Sequence, residues 1–121
     1  MEFDKNIRIG WLLDYYGEFL TERQRSILEL HHYDDLSLGE IAERTGITRQ
    51  GAHDALRRGA EILESCEERL GLLKRTMAVQ HALQALQAKL QGREALNKEE
   101  TEELRQGLAA MMAIWEGNDG L

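Results

Sequence analysis

Ser37-Leu38-Gly39-Glu40-Ile41-Ala42-Glu43-Arg44-Thr45-Gly46-Ile47-Thr48-Arg49-Gln50-Gly51-Ala52-His53-Asp54-Ala55-Leu56-Arg57-Arg58 carries the most local structural information in the chain. Ser37 and Glu40 have the spacing of a capping box, in which the Ser37 hydroxyl accepts from the Glu40 amide and the Glu40 carboxylate reaches back. A helix is therefore expected from Leu38 to about Arg44. Thr45-Gly46-Ile47 then reads as a tight turn, since Gly46 takes positive φ at little steric cost. Thr48 is an N-cap for a further helix. The two helices also match in packing chemistry. Ile41 and the small Ala42 suit the first helix, Ile47 plugs the corner, and Ala52, Ala55 and Leu56 suit the inner face of the second. Local and packing signals agree on a helix-turn-helix unit.

Working outward, Ile9, Leu12, Leu13, Tyr16 and Leu20 recur at spacings of three and four, which predicts one amphipathic helix over residues 7–20. Thr21-Glu22-Arg23-Gln24 is a second capping box. It opens a helix with Ile27, Leu28 and Leu30 as its apolar residues that ends at Tyr33-Asp34-Asp35. On the other side, Leu56, Leu63, Leu70 and Met77 recur every seven residues, with Cys66 and Leu73 on the same seam, as in a coiled coil. Gly59 and Gly71 weaken that stripe, and Gly71 is where a break is expected. Gln91-Gly92-Arg93 reads as a polar linker. Asn97 caps a last helix with acids in its first turn and Leu104, Leu108, Met111 and Trp115 on one side, ending at Gly117. The fold class is all-α: a helix-turn-helix domain with its N-terminal helix over residues 1–70, then an amphipathic helical extension over residues 71–121 for dimerisation or partner docking.

Composition bounds the function. The 121 residues have 42% hydrophobic content and no proline, which suits a helical core. The net charge of −7 argues against a protein that coats nucleic acid indiscriminately, because such binding needs many Lys and Arg contacts to phosphate. The N-terminus lacks the basic start and apolar run of a signal peptide, and no apolar stretch is long enough to span a bilayer. A cytoplasmic protein is expected, and one cysteine, Cys66, fits a reducing compartment. Cys66 on the apolar seam reads as a core residue. No catalytic set, phosphate-binding glycine loop or cofactor site is legible, so an enzyme is not expected and no cofactor is implied. His31 and His32 are adjacent and diverge on a helix, and His53 and His81 are distant, which does not make a zinc site. Asp34-Asp35 lacks the further ligands of a calcium loop. Trp11, Tyr15, Tyr16 and Trp115 read as core or dimer packing rather than base stacking.

The local charge runs against the global one. From Arg44 to Arg58 there are four arginines against Asp54 alone. The start of a recognition helix points into the major groove, which nominates Arg49, Gln50, His53 and Asp54, with Arg57 and Arg58 further along. Arg49 can pair with guanine and Gln50 with adenine, whereas Asp54 can only accept, for instance from a cytosine amino group. Arg44, Thr48, Arg57 and Arg58 complete the nucleic-acid-binding set through phosphate contacts and capping.

Residues 20–25 and 36–50 resemble the promoter-reading C-terminal region of bacterial sigma factors. With Asp14-Tyr15-Tyr16 ahead of them and an acidic amphipathic tail behind, they resemble the YlxM family more closely. These are small sigma-like helix-turn-helix proteins typically encoded beside the signal recognition particle GTPase. The resemblance covers roughly residues 5–75 and the tail in character only. It implies an all-helical fold, a homodimer, and a regulatory or accessory role in the signal recognition particle pathway. The partners it implies are DNA, the particle's RNA, or its GTPase. The chain departs from the sigma pattern at Gly51 and His53, where basic residues are common, and at Asp54, where an amide is common.

Overall fold

The structure is a computed structural model that describes residues 5–116, and among these every regular element is helical. The order is α1 (Lys5–Tyr16), a 3-10 turn (Gly17–Phe19), α2 (Glu22–His32), α3 (Leu38–Thr45), α4 (Arg49–Leu70), α5 (Leu72–Leu90) and α6 (Lys98–Glu116). The chain divides into two compact units, Met1–Gly71 and Leu72–Leu121. The expected stop at Gly117 lies outside the described residues.

In the first unit, α4 is the spine against which α1, α2 and α3 pack. The capping chemistry is as the sequence predicts. Thr21 accepts from Gln24 at 3.2 Å and Gln24 accepts from the Thr21 amide at 3.0 Å. The Ser37–Glu40 box closes in the same way at 3.1 and 3.0 Å. Those bonds, above all from the Ser37 backbone, hold the Glu40 carboxyl below its ordinary pKa. Gly46 sits at φ 77° and ends α3, and Thr48 accepts from the Gly51 amide at 2.9 Å to start α4. Each bond satisfies an amide that a helix start leaves orphaned.

The corner packs through a cluster of Ile27, Ile41 and Ala52, with Leu30, Leu36, Leu38, Ile47, Ala55 and Leu56 against it. The N-terminal helix is shorter than the spacing predicts. It ends at Tyr16, and Leu20 is extended, at ψ 155°, although still buried. Gly17 supplies the physical reason, since glycine propagates a helix poorly and its site lies against Leu13 and Arg25. Of the aromatics, Tyr16 is fully enclosed and donates to Glu67 Oε1 at 2.7 Å, so the one buried carboxylate on α4 has a partner. Trp11 and Tyr15 are exposed instead, and Cys66 is only half-buried.

The seven-residue stripe does not run through. Gly71 adopts φ 64° and caps α4 by donating to the Glu67 carbonyl, so the helix stops there. Leu63 is fully buried whereas Leu70 is exposed. The glycine at position 59 also has a positive role. It is buried where α4 crosses α2, and a methyl there would lie 2.7 Å from Leu28 Cδ1.

The second unit is an α5–α6 hairpin. Asn97 caps α6 by accepting from the Glu100 amide at 2.7 Å, and Glu100 returns the bond at 3.0 Å. Leu86 is buried against Gly107, which lets the two helices approach closely. Along α6, Leu108, Met112 and Trp115 stay exposed.

Candidate nucleic-acid interface

The turn at Gly46 and the Thr48 cap present the first turns of α4 away from the core. Ala52 is fully buried on the inner side, while Arg49, Gln50, His53, Arg57 and Arg58 are exposed and Asp54 is half-buried. A methyl at Gly51 would crowd Thr48 Oγ1 at 3.1 Å, so the smallest residue stands beneath the cap. Thr48 uses an oxygen lone pair on Gly51 and keeps its hydroxyl proton for an outside acceptor.

The eight nominated residues fall into two groups. Arg44, Arg49 and Arg58 are exposed and have no ion-pair partner among the described residues. The others are already engaged. Gln50 Nε2 donates to Asp54 Oδ1 at 3.1 Å, His53 Nδ1 lies 3.8 Å from the same oxygen, and Arg57 is paired with Glu61 at 2.9 Å. Asp54 thus holds Gln50 and has the His53 ring beside it, and Gln50 must leave it to read a base edge. These exposed pairs are weak, about 0–1 kcal/mol, so exchange for a ligand is inexpensive.

One face of α4 changes sign along its length. Arg49, His53 and Arg57 are followed, at helical spacing, by Glu61, Glu64 and Glu68, all exposed. Glu64 accepts both Arg8 Nε at 2.9 Å and Arg8 Nη2 at 2.7 Å, a fork that raises the guanidinium pKa further. Only the N-terminal part of α4 can therefore approach a polyanion without repulsion. Arg23 was not among the nominated residues. It lies at the start of α2, and the tertiary fold brings it into one groove with Arg58. Nothing in the local pattern around Thr21 signals that neighbour.

His31 and His32 sit edge to face at 5.0 Å, and His31 Nδ1 lies 2.9 Å from the Leu36 carbonyl. Among the described residues no group of three or more His, Cys, Asp or Glu could hold a metal ion, and no helix is long and apolar enough to cross a membrane.

Residues 3–104 match the family described as "UPF0122: Putative helix-turn-helix protein, YlxM / p13 like". A protein of Halalkalibacterium halodurans named as a UPF0122 protein is 38% identical over 118 residues, covering 98% of this chain and 97% of that protein. A UPF0122 protein of Desulforamulus reducens is 52% identical over 68 residues, which are 56% of this chain and 58% of that relative. One from Bacillus cereus is 38% identical over 96 residues, 79% of this chain and 87% of that one.

Proposed function

Because the chain belongs to the YlxM/p13-like helix-turn-helix family, we propose that it is a cytoplasmic regulatory protein that reads duplex DNA with the first turns of α4. The observation that carries this reading is the exposure, without carboxylate partners, of Arg49 at the start of the second helix of the motif and of Arg58 further along it, in a chain of net charge −7. Arg49 pairs with a guanine edge, Gln50 exchanges Asp54 for a neighbouring base that His53 helps to read, and Arg44, Thr48, Arg57 and Arg58 contact phosphates. A salt titration of duplex binding tests it. Arg49→Ala is expected to cost about 1–3 kcal/mol and to relax base preference. Equal binding by wild type and variant refutes it. The same titration with the RNA of the signal recognition particle separates gene regulation from a role in that particle.

The α5–α6 hairpin supplies the dimer contact in this reading. Leu108, Met112 and Trp115 form a stripe on α6, exposed by 47%, 64% and 63%. A second copy covers it, giving a two-fold dimer; to read a palindrome such a dimer has to hold its recognition helices about 34 Å apart, one turn of duplex. Sedimentation of wild type beside Met112→Glu checks this: a dimer that becomes a monomer is expected. A wild-type monomer would transfer the stripe to a protein partner such as the particle's GTPase.

A further inference from the structure

The groove between the start of α2 and α4 has a volume of about 330 Å³ and takes Arg23, Thr21 and Gln24 from one helix and Arg58 and Asp54 from the other. Its two arginines differ from their neighbours. Arg25, next on α2, has Glu29 at 3.7 Å, and Arg57, next on α4, has Glu61 at 2.9 Å. Arg23 and Arg58 have no carboxylate within salt-bridge distance among the described residues. Two cations on separate helices thus share one groove with a single carboxylate, and neither is within salt-bridge distance of it. The carboxylate there, Asp54, accepts from the neutral Gln50 amide at 3.1 Å and keeps its charge, so two guanidiniums against one carboxylate leave the groove net positive. The Thr21 hydroxyl accepts from Gln24 at 3.2 Å and keeps a proton to donate.

We propose that Arg23 and Arg58 together seat one backbone phosphate of the duplex beside the base-reading turns of α4. The proposal rests on the DNA-binding reading above and adds to it a residue on another helix. Guanidinium groups match phosphate oxygens in forked geometry, and a phosphate relieves the repulsion between the pair. Contacts of this kind carry no sequence information but fix the register of a recognition helix on the duplex. Arg23 is a phosphate-binding residue in this scheme, fixing from α2 the same backbone point that Arg58 contacts from α4.

The test uses the full chain and a labelled mixed-sequence DNA duplex, with affinity followed between about 50 and 200 mM salt. One lost phosphate contact lowers the slope of log affinity against log salt by about 0.9. Over that fourfold range the wild type then loses about 3.5-fold more affinity than the variant. The Arg23→Ala, Arg58→Ala double variant is expected to show that change once, not twice, because both side chains serve one phosphate. Arg23→Ala alone is expected to weaken binding equally for all sequences, and Arg23→Lys to restore the slope. If Arg23→Ala binds as wild type while Arg49→Ala is impaired, the phosphate seat is refuted and the reading of the helix-turn-helix survives. If Arg23→Ala alters base preference, the seat is also refuted. No binding of duplex DNA by the wild type overturns both.

Discussion

Replacing Gly59 by Ala sets two opposite effects against each other, and the structure decides between them. In an exposed helix interior the change would favour folding by about 0.5–1 kcal/mol, because glycine has more freedom to lose. At Gly59 the new methyl would stand 2.7 Å from Leu28 Cδ1, 3.5 Å from Leu28 Cγ and 3.6 Å from Gln24 Cβ. Leu28 is fully buried, so its methyl has no solvent to swing into. Overpacking of this kind costs about 1–3 kcal/mol. The net expectation is a loss of about 1 kcal/mol, or roughly 4–8 °C in the melting of a unit this size. Trp11 fluorescence in a Trp115→Phe background follows the first unit alone, since Trp115 lies in the hairpin. Gly10→Ala is the internal control. A methyl there meets nothing within 4 Å, so a gain of about 0.5–1 kcal/mol is expected. A double-mutant cycle with Leu28→Ala should show coupling of at least about 0.5 kcal/mol, because the added methyl fills part of the vacated space. A Gly59→Ala protein as stable as wild type, or no coupling to Leu28, would refute the close crossing of α2 and α4.

Three further outcomes follow from the same geometry. Thr48→Ala removes the acceptor for the Gly51 amide and should cost about 1 kcal/mol in urea denaturation, with Thr48→Ser close to wild type. Glu61→Gln releases Arg57 from its 2.9 Å ion pair and removes a carboxylate from the α4 face, so duplex affinity at low salt should rise by up to about fivefold; unchanged affinity would contradict the proposed phosphate role of Arg57. His32 lies below its ordinary pKa of 6.5, first because burial disfavours its charged form and then because His31 is beside it. The unfolded chain therefore takes up that proton more readily, and stability present above about pH 6.5 is lost as the pH falls below it. Glu40 acts lower, its stabilisation being lost only below its ordinary 4.5. Melting curves between about pH 7.5 and 5.5 should show the loss, and His32→Gln should flatten it.

The legible part of this protein is the part governed by short-range chemistry. The Thr21, Ser37, Thr48 and Asn97 caps each bond an amide three residues away, so sequence spacing determines them directly. The turn at Gly46 and the break at Gly71 likewise follow from backbone freedom at single positions. Together with the alternation of Ile41, Ile47 and Ala52, these are enough to specify a helix-turn-helix and the residues that face outward from it. The long-range partners could not be read in the same way. Tyr16 and Glu67 are separated by 51 residues, yet one buried hydrogen bond joins them. Gly59 reads as a flaw in an apolar stripe until Leu28 is seen above it. Arg23 looks like part of a solvated capping box, and only the crossing of α2 over α4 sets it beside Arg58. The Arg57–Glu61 pair, by contrast, is one helical turn apart on α4 and belongs with the short-range features. Periodicity determines which face a residue lies on, whereas its neighbours across that face depend on where another helix crosses.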